Sequence, residues 1–544
     1  MTQLIETKTI VTPSPAKRLA RFAPILIACA LLGLYMQRLL LPAVGLFHDD
    51  GVYLVTAKAL ATGQGYRIIS LPTPVAQTKY PILFPALLAL VWKVFPAFPE
   101  NVVLLKLVPF LATLAWFALA YRYFVGEGLA QHPAMVLTLV LAITPWVLYL
   151  SSILLSEALF FAFSMAAVVV IRRVESSATY SRFLPFAAGA LAGAATLTRI
   201  AGVTLIAAGA LALVRKSRKA AAIFLATAVA LYLPWLAWTS HDATAPSSVA
   251  YYTAGNYSSS NALFNFTLDQ KLEIVGTNLA ATIGSCGLLF EYRQAGIALL
   301  IAAVLSAGFM LDIRQKGFTV VHTFCLSYLG LITVWTGRPL RFVVLLTPIL
   351  LLFVFRVTTA CAEKMKLPWL PAAALLLAVP MLLQDAYQTV QSRKAGAVLG
   401  PGTSNEPPAK WYEYAQIASW IRDNAPPSAV IAANLDPFFY LYTGHPSVRE
   451  FSADPYLLFY APSRIVDALG SVGDFVRGLK QQNATVLVCT SESGFAERKA
   501  LKKLTTEAVS LYPEAFHLAL QLPDPEYRVY FVDPSRLPFV PDLP

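Results

Sequence analysis

The sequence predicts a polytopic all-α membrane protein of about 11 transmembrane helices, with surface helices in a first outer loop and a small C-terminal α/β extracytoplasmic domain. Three observations predict it. Of 544 residues, 57% are hydrophobic and only 13% are charged, whereas soluble proteins carry about 25% charged residues. The mean hydropathy is +0.61. The Lys and Arg residues behind the net charge of +12 fall in short clusters between apolar segments. Cytoplasmic loops have that pattern, and it makes nucleic acid an unneeded partner.

At the N-terminus, Lys8, Lys17, Arg18 and Arg21 precede an apolar run over 22–41. A cleavable signal has a core of about 7–15 residues. This run approaches the ~20 that span a bilayer, so it reads as an uncleaved first helix after a cytoplasmic tail, 1–21. Further apolar segments lie at 102–122, 134–150, 157–171, 183–198, 200–214, 220–238, 296–311, 318–336, 341–355 and 367–384. The short pair flanking Arg199 also reads as a hairpin that does not fully cross. One more segment, "YPILFPALLALVWKVF" (80–95), decides orientation. If it lies on the outer surface, every basic cluster falls inside: Arg172, Arg173 and Arg182; Arg215, Lys216, Arg218 and Lys219; Arg314 and Lys316; Arg356, Lys364 and Lys366. If it spans, all of them flip outside. Its shortness, Pro81, Pro85 and Lys93 also favour a surface helix. The N-terminus is then inside and the C-terminus outside.

Three regions face outward: the first loop, 42–101; a polar, aromatic loop, 239–295, with "SVAYYTAGNYSSSNALFNF"; and the tail beyond 384. The tail opens on a linker, 385–409, with "GPGTSNEPP". From 410 to 544 it alternates helical and strand patterns, such as "YEYAQIASWIRDN", "ATVLVCT" and "EYRVYFV". No repeat of about 20–50 residues is visible. The five cysteines show no CxxC spacing, so they suggest neither a disulfide framework nor a zinc site.

No Asp, Glu, Lys or Arg lies near mid-depth of an expected span, which argues against a proton pump or ion-coupled transporter. The charged exceptions lie near the outer ends: Glu157 in "LLSEALFF", Arg199 in "TLTRIAG", Arg338 and Arg341 in "TGRPLRF", and the pair Asp49–Asp50 in "GLFHDDGVYL". The arginines oppose the positive-inside bias; snorkelling to headgroups or pairing with the acids are the structural readings. Val52, Val55, Ala59 and Leu60 follow the acids at helical spacing, so one Asp can cap that helix, and Gly63 or Gly65 can end it. A cap explains one Asp and leaves the other. Lys79 and Tyr80 stand before the surface helix. His241 and Asp242, in "SHDA", read as a solvated loop.

An acid pair after the first span, then "ALATGQGY", then "KYPILFP", resembles the first outer loop of the GT-C membrane glycosyltransferases. The nearest likeness is to the protein mannosyltransferase and aminoarabinose transferase group, including bacterial lipopolysaccharide sugar transferases of glycosyltransferase family 39. It extends through "SEALFF", "AGALAGAATLTRIAG" and "RPLRFVVLLTPILLL", covering most of residues 20–385. Asp-Asp stands where Asp-Glu is common in the family, and one proline follows Tyr80 where many members have two. The resemblance implies a GT-C fold, a transmembrane catalytic domain over 22–384, and an inverting transfer of sugar from a polyprenyl-phosphate donor lipid. The acceptor would be lipopolysaccharide or lipid A, another cell-envelope glycan, or protein. The setting would be the bacterial inner membrane with the tail in the periplasm.

Such a transfer needs a base, stabilisation of the departing phosphate, and a site at the membrane surface. Adjacent, partly buried carboxylates raise the pKa of one member. Asp49 is the expected base, following the family's first acid. Asp50 would orient it, bind the acceptor or help hold a cation. Glu157 is the second acid, positioning the acceptor or forming a salt link. Lys79, Arg199, Arg338 and Arg341 are the candidates for the donor phosphate, and Tyr80 and His48 for the acceptor or sugar. No cofactor is expected, as in the protein mannosyltransferase group; the oligosaccharyltransferase branch uses a divalent cation, and His48, Asp49, Asp50 and Glu157 form an oxygen-rich set that can take one. Two other classes stand beside the enzyme: a lipid-linked-sugar flippase or transporter, and a non-enzymatic envelope assembly protein.

Overall fold

Apolar runs that satisfy their own backbone as helices account for most of the architecture. The structure, a computed structural model, describes residues 15–241, 266–335, 340–401, 411–450, 470–490 and 498–538. Among these residues, 5 helices are long and apolar enough to cross a membrane: Val102–Gly126, Arg218–Ser240, Ala295–Lys316, Arg341–Met365 and Leu370–Ala395. Leu83–Val94, Gln131–Ala142, Phe183–Thr198 and Val320–Val334 are apolar but shorter. The expected span 134–150 divides into Gln131–Ala142 and Pro145–Leu150. Thr144, which precedes the proline, is held extended at φ −71°, ψ 120°, as a residue before proline is. The chain over 183–216 is likewise two helices, Phe183–Thr198 and Val203–Lys216, broken where Arg199 is extended.

Outward-facing Leu231, Leu233, Leu299 and Leu300 remain exposed, as a lipid-facing surface requires. Small residues let helices approach: a Cβ on Gly308 would lie 2.5 Å from Phe353 Cβ. The expected polar loop 239–295 holds a helix, Leu268–Leu288, whose Thr267/Gln270 capping box starts it. Its charged first turns disguise it in a hydropathy reading. Asp242 and the "SVAYYTAGNYSSSNALFNF" segment lie outside the described residues, apart from Phe266.

One end of the bundle is tied by charge. Glu127 accepts from Arg172 at 2.7 Å, pairs with Arg356 at 3.5 Å, and also pairs with Lys316. Arg356 also pairs with Asp312, which lies 3.1 Å from His322. Four helices thus meet at one buried carboxylate. Glu157 begins the helix Glu157–Ser176 that carries Arg172; fifteen residues at 1.5 Å each put it about 22 Å away, at the other end.

At that other end, Asp49–Ala61 packs against Leu83–Val94, joined through a small hairpin of β1 (Arg67–Ile68) and β2 (Val75–Ala76). Gly63 and Gly65 take positive φ, 76° and 79°, after the first of these helices. Leu83–Val94 buries Phe84, Leu88 and Trp92 and exposes Leu90 and Val94. A helix apolar on both faces, lying against protein on one side only, suits a membrane surface.

The tail holds a five-stranded sheet: β3 (Ile431–Ala432), β4 (Ser447–Val448), β5 (Val486–Cys489), β6 (Phe516–Gln521) and β7 (Arg528–Val532), in the order β4-β3-β5-β7-β6. β3 pairs parallel with β4 and β5; β7 pairs antiparallel with β5 and β6. Tyr414, Ile417 and Ile421 of helix Trp411–Asn424 pack on Ile431, Val486 and Val529. The sheet docks on the first loop: Ser447 N donates to Ser70 O at 2.7 Å, and a Cβ on Gly51 would lie 2.9 Å from Pro437 Cβ.

Candidate active site

The two acids of the pair do different work. Asp49 and Asp50 open the helix Asp49–Ala61, after His48 at φ 65°. The Asp50 carboxylate turns back and accepts the backbone N–H groups of Gly45 (2.6 Å), Phe47 (3.0 Å) and Gly51 (2.9 Å). It holds the turn that delivers its neighbour. Burial pushes its carboxyl up to about 6, opposed by those three N–H groups and helped by the charge of Asp49. The raised member expected of the pair is therefore Asp50, bonded to backbone.

Asp49 faces the other candidates. Tyr80 O–H donates to Asp49 Oδ1 at 2.7 Å, and Arg341 Nη2 lies 3.3 Å from Oδ2. Burial raises the Asp49 carboxyl, but Arg341, Lys79, Tyr80 and His48 outweigh it and hold it below its usual value. It is an ionised, oriented acceptor. Lys79 is buried, with its ammonium 5.1 Å from the Tyr80 ring centre. Burial lowers it to about 8; Asp49 opposes the shift, and Arg449 and Arg341 add to it.

Glu157, 1% exposed, joins both arginines: Arg199 Nη1 lies at 2.9 Å and Arg341 Nε at 3.6 Å from Oε1. Arg199 is reachable because the chain breaks there between two helices; its Nη1 also donates to Ser156 Oγ at 3.1 Å. Both guanidiniums sit 5.2 Å from the Phe342 ring centre. Among the described residues Arg341 Nη1 is buried with no hydrogen-bond partner. Three cations, Lys79, Arg199 and Arg341, thus face two carboxylates, Asp49 and Glu157, leaving room for an anion. An apolar cleft lined by Ile200, Tyr328, Leu331, Trp335 and Phe342 runs to Arg199.

The structure therefore brings together Asp49, Glu157, Lys79, Tyr80, Arg199 and Arg341. It separates two others. His48 Nε2 lies 3.3 Å from Asp436 Oδ1 of the tail, and Asp50 is engaged by backbone. Arg338 lies outside the described residues. Among the described residues no three His, Cys, Asp or Glu side chains are placed to hold a metal ion. Sequence reading missed Tyr53, whose hydroxyl is 3.0 Å from Ser156 Oγ, and Phe342; the former carried no signal, the latter a place beside Arg341.

Asp50→Asn is expected to weaken the turn by about 1–3 kcal/mol, since one acceptor oxygen is lost against buried N–H groups. Thermal unfolding in detergent reads the effect. Unchanged unfolding with lost activity would give Asp50 a chemical role instead.

No family model and no curated protein matches the chain. Solved structures do. ArnT from Cupriavidus metallidurans bound to undecaprenyl phosphate matches over 95% of this chain and 99% of that one, at 13% identity and a TM-score of 0.56. Archaeal oligosaccharyltransferase AglB from Archaeoglobus fulgidus, in complex with an inhibitory peptide and a dolichol-phosphate, matches over 95% of this chain and 75% of that one, at 11% identity and a TM-score of 0.54. The shared property is the fold.

Proposed function

We propose that this GT-C-fold protein is an inverting glycosyltransferase that moves a sugar from a polyprenyl-phosphate donor to an extracytoplasmic acceptor. The observation that carries the reading is an oriented carboxylate, Asp49, beside a cationic cluster at the mouth of an apolar cleft. Undecaprenyl phosphate and dolichol-phosphate, held by the two similar structures, are ligands of the matching kind.

In this reading the isoprenoid lies along Tyr328, Leu331 and Trp335, and the phosphate meets Arg199 and Arg341. An acceptor hydroxyl attacks the anomeric carbon from the face opposite the phosphate. Its proton passes to Asp49, and the bond from the anomeric carbon to the phosphate oxygen breaks. The phosphate leaves with the electron pair, its charge stabilised by Arg199, Arg341 and Lys79. Tyr80 fixes the rotamer of Asp49. A phosphate engaging Arg341 also draws that cation from Asp49, so donor binding raises the basicity of the carboxylate. Glu157 holds the two guanidiniums side by side and aimed. We propose no metal in this step and an extracytoplasmic site, with the tail on the same side of the bacterial inner membrane.

The test is transfer in liposomes from a panel of polyprenyl-phosphate sugars to cell-envelope extract, with and without EDTA. Transfer that survives EDTA, and is lost in Arg341→Ala through a raised donor KM, is the expected result. Failure with every donor in the panel, alongside movement of labelled lipid across the bilayer, would replace the reading with transport.

A further inference from the structure

The tail contains a second cavity, of about 110 Å3 and lined by both polar and apolar groups, apart from the Asp49 site. It opens at the carboxyl ends of three strands that run parallel: Asn434 follows β3, Glu450 follows β4, and Thr490 follows β5. Thr505, from helix Arg498–Leu511, and Arg528 and Tyr530, from β7, close it. The chain leaves β3 toward β4 on one side; it leaves β5 toward β6 and β7 on the other. Open α/β sheets bind ligands at the carboxyl ends of strands where connections diverge in this way.

The walls define what fits. Asn434, Glu450 and Thr505 are 6%, 4% and 7% exposed, so their polar groups are largely removed from water. Among the described residues Arg528 Nε is buried with no hydrogen-bond partner, a donor open to an oxygen brought by a ligand. Burial pushes the Glu450 carboxyl up to about 8, with Arg449 opposing and Asp436 adding. At neutral pH it therefore mostly carries a proton and can donate. Lys502 and Glu526 form a 2.7 Å ion pair at the rim, cancelling each other's charge.

Donors and acceptors are thus interleaved, with a single net positive charge, that of Arg528. Phosphate is a poor match: Lys502 is already engaged by Glu526, which leaves Arg528 as the cation at the cavity, and the turn after β3 brings Asn434 rather than a second cation. The turn "ANLD" there also lacks the glycines of a phosphate-binding loop. A purely apolar ligand would strand the Arg528 donor. A sugar ring presents hydroxyls that both donate and accept, and an apolar face for Tyr530.

We propose that this cavity binds one neutral sugar residue of a glycan, held by Arg528, Glu450 and Asn434, so that the tail is a saccharide-binding module. The assignment stands whether or not Asp49 performs transfer.

The experiment is saturation-transfer NMR and titration of full-length protein in detergent with a panel of neutral methyl glycosides, using inorganic phosphate as the counter-probe. Wild type is expected to bind at least one glycoside. Arg528→Gln should bind it roughly tenfold more weakly, the loss of one charge-assisted hydrogen bond. Thr505→Val, which keeps side-chain shape, should weaken it too, and phosphate should not compete. Absence of glycoside binding, wild-type binding by both variants, or displacement by phosphate would each overturn the assignment.

Discussion

Asp49→Asn is expected to lower kcat for sugar transfer by roughly 100- to 10,000-fold, the usual contribution of a general base, while the protein stays folded and inserted. The amide keeps the shape, and its oxygen can still accept from Tyr80. It cannot take a proton. Donor binding should survive, because the phosphate contacts belong to Arg199 and Arg341. The pH profile gives an independent reading. The Asp49 carboxyl is held below its usual value of 3.8 in the free protein, so in kcat/KM, which reports the free enzyme, loss of activity by protonation lies on the acid side of that value. The Lys79 ammonium loses its charge as pH rises through about 8, so phosphate stabilisation should fade there. Equal transfer by wild type and Asp49→Asn would remove Asp49 as base and leave Glu157 as the remaining acid at the site.

Glu127→Gln is expected to produce the largest loss of stability, about 3–5 kcal/mol, the range seen when one member of a buried ion pair is removed. Lys316 loses its carboxylate, Arg172 keeps only Glu175, and Arg356 keeps only Asp312. Four helices are then held at that end by packing against uncompensated charge. The expected result is a lowered unfolding midpoint in detergent, with transfer per folded molecule unchanged, because the carboxylate is about 22 Å from Glu157. An unchanged midpoint would mean that water reaches the cluster and screens it.

The two predictions mark what sequence could and could not deliver. Asp49, Glu157, Arg199 and Arg341 stand out because a charge in an apolar chain is costly and therefore conspicuous. Glu127 sits between two apolar segments just as Glu157 does, but a short loop offers no cost and so no signal. Its partners Arg172, Lys316 and Arg356 looked like ordinary inside charges. The helix break at Arg199 was legible in the sequence, whereas the one before Pro145 was not, because 134–150 is apolar on both sides of it. The helix Leu268–Leu288 was not, because Asp269, Lys271 and Glu273 fill its first turns with charge. The division of labour within "HDD" was also hidden. Nothing in three adjacent polar residues says that one turns to the backbone, one to Arg341, and one to a tail residue hundreds of positions away.

That last contact orders events in time. His48 immediately precedes Asp49 and meets Asp436; Ser70 meets Ser447. The segment carrying the first acid is among the earliest made, and its brace is among the last. A nascent chain therefore presents Asp49 without the buttress behind its turn until the tail has been synthesised and has docked. Chains ending before the tail would carry Asp49 and the arginines without that brace behind the turn.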